Sequence, residues 1–276
     1  MTTIDRAGLD SFVALGDSFT EGLEDERGPD GRHRGWADRV AAALATSNGR
    51  VRYANLAIRG RLLDQVIAEQ VPAAIELAPS LISFHAGAND VLRPRVDLPG
   101  LVSRYEAAVE RLRATGAQVL LFTVTGRAGR NGRPAEVLTT RFGVFNQAVH
   151  QIAERHGCLV VDMGATSALQ DPRLWDQDRL HLSPEGHARV AAAALEQLGF
   201  SEPDLLAGAS GWWREPLPAV DPSRGIAGRL RDLRDDARWV WRYLLPWVGR
   251  RLRGVSSGDL LTAKQIELVD IKSAAE

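Results

Sequence analysis

The sequence predicts an α/β protein whose parallel sheet is covered by helices on both faces. Three observations predict it. Five short apolar runs alternate with longer segments of helical periodicity through about residue 200. The runs are apolar at consecutive positions, as expected of strands buried on both faces. The first, Phe12-Val13-Ala14-Leu15, opens directly into Gly16-Asp17-Ser18-Phe19-Thr20-Glu21-Gly22. That places a serine at the carboxyl end of a strand, the edge at which open α/β sheets bind ligands.

Taken in order, strands are expected over residues 11–15, 51–55, 81–85, 118–124 and 158–162, most of them followed by Gly, Asn or Asp. Helices are expected over 36–44, 62–76, 101–114, 137–156 and 184–198. The third carries Leu101, Tyr105, Ala108, Val109 and Leu112 at helical spacing, and the fourth Phe142, Phe145, Val149 and Ile152. No internal repeat is visible.

The chain has 276 residues, 45% hydrophobic and 25% charged, with a formal net charge of −1. That length buries a full core without disulfides or metals, and the balanced charge gives no field favouring nucleic acid. Cys158, the single cysteine, excludes an intramolecular disulfide and reads as a buried, inert thiol. No apolar leader or run of about 20 apolar residues is present, so the expected location is the cytoplasm. No His, Asp or Glu cluster has metal-ligand spacing, and neither metal nor cofactor is expected.

Composition changes after Phe200. Residues 1–200 are assigned to the α/β domain and 201–224, with Pro203, Pro216, Pro218 and Pro222, to an irregular connection. Over 225–253, Ile226, Leu230, Leu233, Ala237, Val240, Leu244 and Trp247 form an apolar stripe opposite several arginines. This segment reads as an amphipathic helix that packs on the domain, forms a homodimer or touches a membrane surface. Asp232, Asp235 and Asp236 interrupt its basic face and weaken the membrane reading. Residues 255–276 read as a polar tail that frays.

A serine hydroxyl needs a base to take its proton and a third group to orient that base. Among six histidines, His181 stands out in Asp178-Arg179-Leu180-His181-Leu182-Ser183-Pro184, just before a helix that Ser183 and Pro184 are suited to start. The three-residue spacing lets Asp178 hold one imidazole nitrogen while the other faces Ser18. Acyl transfer also needs oxyanion donors. Gly60, after the second strand, offers a backbone N–H, Asn89, after the third, a side-chain amide, and Ser18 its own N–H.

Gly16-Asp17-Ser18, Gly60, Gly87-x-Asn89-Asp90 and Asp178-x-x-His181 resemble, in order, the four blocks of the SGNH/GDSL hydrolase family, over about residues 11–198. The resemblance implies a flavodoxin-like, three-layer α/β/α sandwich with a five-stranded parallel sheet. It implies Ser18 as nucleophile, His181 as general base and then acid, and Asp178 as the orienting carboxylate. Ser18 N–H, Gly60 N–H and the Asn89 amide would form the oxyanion hole. The family's usual leucine after the serine is Phe19 here. Family substrates range over acyl esters, thioesters, lysophospholipids and acetylated sugars, so a small-molecule ester is expected without a defined acyl or alcohol group.

The remaining polar residues have plainer readings. Asp17 and Asp90 bond loop backbone, His187 packs near the site, and His85, at a strand end beside the Gly87 block, lines the pocket or is a satisfied core histidine, the second reading slightly favoured. His33, His150 and His156 are solvated. Loop 21–34 rims the site, and loop 125–133 either forms another wall, with Arg127, Arg130 and Arg133 placed to attract an anionic substrate group, or is a solvated loop. Two further readings stay open: a thioesterase or sugar deacetylase on the same site, and a binding module that works through the C-terminal helix. A flavodoxin-like nucleotide binder is disfavoured, because no G-x-G-x-x-G loop follows the first strand.

Overall fold

The computed structural model describes residues 5–129, 132–219, 238–244, 246 and 258–273. All five expected strands form: β1 (Ser11–Gly16), β2 (Arg50–Asn55), β3 (Leu81–His85), β4 (Gln118–Phe122) and β5 (Leu159–Val161). They are parallel to one another. Their order across the sheet is β5-β4-β3-β1-β2, and a sixth strand, β6 (Gln265–Lys272), lies beyond β2. The order reverses between β1 and β3. That is the topological switch point, where a crevice opens at the carboxyl ends of the strands.

β6 corrects two expectations, a five-stranded sheet and a frayed tail over 255–276. It runs antiparallel to β2, with Arg50 opposite Lys272 and Val51 opposite Ile271. Without it β2 would present an unpaired edge. Ile271 packs against the core on one face of the sheet and Leu268 against the core on the other. Lys264, just before β6, bonds Asp38 at 2.5 Å and the carbonyls of Glu21 (2.8 Å), His33 (3.0 Å) and Arg34 (3.1 Å). Burial raises the Asp38 carboxyl to about 6, against the pull of this ammonium.

The helices divide between two layers. α1 (Ser18–Glu21) is a single turn, and α2 (Gly35–Asn48) buries Trp36, Val40 and Leu44 on one face of the sheet. α3 (Leu63–Gln65), a π turn (Val66–Gln70) and α4 (Val71–Leu77) follow one another on the opposite face. Pro72 has no N–H for the carbonyl one turn back, which accounts for the local change of hydrogen bonding. After the short α5 (Ala88–Val91), α6 (Leu98–Arg113) starts three residues earlier than expected. There the Asp97 side chain caps Gly100 N at 3.1 Å. α7 (Arg133–His156) completes that layer, and α8 (Pro184–Gln197) packs beside α2 on the first.

Residues 201–219 hold α9 (Pro203–Leu206) and a 3-10 turn (Trp212–Arg214), both in contact with α8. Most of the helix expected over 225–253 lies outside the described residues, and with it the expected dimer or membrane contact. Residues 238–239 and 246 are helical, and Val240–Leu244 form a π turn. No described helix is long and apolar enough to cross a membrane.

Candidate active site

β1 delivers Ser18 to the crevice through a constrained turn. Gly16, at φ +152°, has no room for a side chain: a Cβ would lie 2.5 Å from His85 O and 2.6 Å from Thr20 Oγ1. The buried Gln70 amide holds the same residue from the side, accepting from Gly16 N at 2.8 Å and donating to Gly16 O at 2.9 Å. Asp17 caps α1 by accepting from Phe19 N at 3.1 Å, and Ser18 is the first residue of that helix. Phe19 packs its ring against Trp36, His85 and Phe122 beneath the turn. The aromatic side chain thus fills the space beneath the turn that carries the hydroxyl.

The turn between β5 and α8 brings the imidazole. His181 Nε2 lies 2.9 Å from Ser18 Oγ, and His181 Nδ1 lies 2.5 Å from Asp178 Oδ2. Asp178 Oδ1 accepts from Leu180 N at 2.9 Å and from His181 N at 3.0 Å. Burial works against the charged Asp178 carboxyl, but its hydrogen bonds from His181 outweigh that and hold it below the usual carboxylate range. Because Nδ1 donates to Asp178, Nε2 carries the lone pair that accepts the Ser18 proton. Such a line of hydroxyl, imidazole and carboxylate can generate a nucleophile.

Asn89, in α5 at the end of β3, reaches the same crevice. Its Nδ2 donates to Asp17 Oδ2 at 3.0 Å and to Arg61 O at 3.2 Å. Gly87 just before it, at φ +94°, packs against Phe145, whose Cζ would be 2.9 Å from an added Cβ. Gly60 sits in the turn after β2, at φ +76°, and does not line the cleft that holds Ser18, Asn89 and His181. Its neighbour Arg61 makes the link to Asn89. Asp90 has the structural role expected of it, accepting from Leu63 N at 2.9 Å.

The cleft walls are mainly apolar: Leu23, Leu92, Val124, Phe142, Met163 and Trp175. Two buried histidines also line it. His187 Nε2–H donates to Leu23 O at 3.1 Å, and burial pushes this imidazole down to about 4. Of the two readings of His85, pocket lining holds: it lines the cleft, and among the described residues its buried Nδ1 has no hydrogen-bond partner. His33 also departs: it is buried, with Nδ1 3.1 Å from Asp25 O, because loop 21–34 folds back on itself instead of standing in solvent. His150 is exposed, and His156 is half-buried against Glu106. Cys158 is half-buried, its thiol raised to about 11 by burial, in keeping with an inert role.

Sequence reading missed several residues that shape the site. Gln70 is one; the ion pair between Glu21 and Arg59, which ties α1 to the Gly60 turn, is another. Of loop 125–133, Arg127 reaches the cleft wall, Arg133 begins α7 and Arg130 lies outside the described residues. Among the described residues, no group of three or more His, Cys, Asp or Glu side chains is arranged to hold a metal.

The model of the GDSL-like lipase/acylhydrolase family matches residues 14–189, which include every site residue above. The chain belongs to this family. No curated protein matches it in sequence. Solved structures with a similar fold include TesA, at 20% identity and a TM-score of 0.56, covering 68% of this chain and 97% of that one. The acetylxylan esterase Axe2 from Geobacillus stearothermophilus is 22% identical with a TM-score of 0.57, covering 69% and 94%. LAE5, an alpha/beta hydrolase enzyme from the metagenome of Lake Arreo, Spain, is 25% identical with a TM-score of 0.54, covering 69% and 95%. All three share the fold of the family domain, and β6 and the segment before it lie beyond the family match.

Proposed function

We propose that the chain is a serine hydrolase that cleaves carboxylic esters with an apolar acyl group, through an acyl-enzyme on Ser18. The observation that carries this reading is the line Ser18 Oγ, His181 Nε2, His181 Nδ1, Asp178 Oδ2, with its two contacts at 2.9 and 2.5 Å. Ser18 Oγ attacks the ester carbonyl as its proton passes to His181 Nε2. The tetrahedral intermediate then expels the alcohol, which takes that proton. Water attacks the acyl-enzyme with His181 again as base, and the acid leaves as the proton returns to Ser18. Asp178 keeps the imidazole in the required tautomer and faces the transient imidazolium.

The oxyanion would be met by Ser18 N–H, the Asn89 amide and Gly60 N–H. For Asn89, the longer bond to Arg61 O is the one an oxyanion would replace, while Asp17 holds the amide in place.

The apolar cleft wall favours an acyl chain of several carbons over acetyl, since each buried methylene adds about 0.8 kcal/mol. Initial rates on p-nitrophenyl acetate, butyrate and octanoate, an acyl-CoA and an acetylated xylo-oligosaccharide test the reading. The butyrate and octanoate esters are expected to exceed the acetate by about tenfold or more in kcat/KM. Fastest turnover of the acetylated oligosaccharide or of the acyl-CoA would instead assign a deacetylase or a thioesterase. No turnover of any substrate would contradict a hydrolase and favour a binding module.

A further inference from the structure

We infer that Trp239, which lies outside the family-matched residues, is a positioning residue for the Asp178–His181 pair. Its indole Nε1–H donates to Asp178 O at 2.7 Å, and the Arg179 guanidinium lies over its ring, 5.2 Å from the centroid. The segment that carries it thus rests on the turn that carries both the carboxylate and the imidazole. The inference rests on the proposed roles of that pair in catalysis.

The turn needs such an anchor. It reverses direction through Arg179, a non-glycine residue in the left-handed region at φ +59°. Within the turn, Arg179 N donates to Asp176 O and Asp176 N to His181 O, each at 2.9 Å. The peptide between Asp178 and Arg179 can rotate as a unit, and that rotation changes ψ of Asp178 and φ of Arg179, and so the aim of the Leu180 and His181 N–H groups that hold Asp178 Oδ1 at 2.9 and 3.0 Å. Fixing the carbonyl from outside fixes the peptide plane, and with it the carboxylate that faces His181 Nδ1 at 2.5 Å. The ring over Arg179 covers the residue that pays the conformational cost. Trp241, two residues on, is 77% exposed and serves as a control.

Two replacements separate the donor from the bulk. Trp239→Phe keeps an aromatic ring and loses the N–H. Substituting the indole of Trp239 by its benzothiophene isostere keeps the full shape and loses only the donor. Both are expected to keep KM and Tm while kcat, and the rate of fluorophosphonate labelling at Ser18, fall about tenfold. The far-downfield proton resonance of His181 Nδ1–H should move or broaden in both, whereas Trp241→Phe leaves all these quantities unchanged. Wild-type kcat with an unchanged resonance in the isostere would overturn the inference. So would a lower kcat with an unchanged resonance, because Trp239 would then act elsewhere. If Trp239→Phe proves unstable, the isostere decides. Absence of labelling at Ser18 in the wild type would refute the nucleophile alone, and the resonance would still decide the role of Trp239.

Discussion

Asn89 Nδ2 lies 3.0 Å from Asp17 Oδ2, so the residue next to the serine holds the amide that faces the crevice from the neighbouring strand end. β1 and β3 are adjacent in the sheet, with Gly16 opposite His85, and this bond joins their two loops across the switch point. An amide held in this way is in place before charge develops, which is the condition under which a donor to an oxyanion is most effective.

Replacing Asn89 by alanine should therefore lower kcat by about 10²–10³ with little change in KM. Steady-state kinetics on p-nitrophenyl butyrate measure the effect. A loss confined to KM would remove Asn89 from the oxyanion site.

Gln70 offers a test of the scaffold beneath the serine. Gln70→Leu leaves the buried N–H and C=O of Gly16 without the partners they have at 2.8 and 2.9 Å. Gly16 O keeps Ile58 N at 3.3 Å, so the N–H is the group left bare, and the expected cost is about 1–3 kcal/mol in urea-unfolding free energy. Turnover should fall as well, since the same two bonds fix the residue from which the serine turn departs. Unchanged stability would mean that other groups satisfy Gly16.

His187 makes stability depend on pH. Burial lowers its folded-state value from 6.5 to about 4, so between these values the unfolded chain binds a proton that the folded chain does not. The contribution is fully present above pH 6.5 and is lost as pH falls through about 4, amounting to roughly 3 kcal/mol. His187→Gln retains a donor for Leu23 O but does not titrate. Urea midpoints measured from pH 7 to pH 4.5 should fall more steeply for the wild type than for the variant. Parallel curves would show that His187 is not the source.

Much of this arrangement is legible in the sequence because its signals are local. The run 81–85 matches β3 residue for residue, and Asp178 and His181 declare themselves by a three-residue spacing beside a helix start. What the sequence hides depends on contacts between distant residues. β6 reads as a polar tail because Glu267, Asp270 and Lys272 mask Leu268 and Ile271, which become half-buried through pairing with β2, more than 200 residues away. Gln70 looks like one polar residue among several on an amphipathic helix, and only the π turn that ends at it brings its amide to Gly16. His85 reads as core or as pocket lining because it ends an apolar strand, and only the cleft at that strand end decides between them.

The central claim is that Ser18 is a nucleophile activated by His181, and intact-protein mass spectrometry tests it most directly. A fluorophosphonate should add once to the wild type, on the peptide containing Ser18, and ester turnover should be lost in step with the adduct. Ser18→Ala should neither be labelled nor hydrolyse p-nitrophenyl butyrate while keeping the wild-type unfolding midpoint. Undiminished turnover by Ser18→Ala, or an adduct on another residue, would contradict the account.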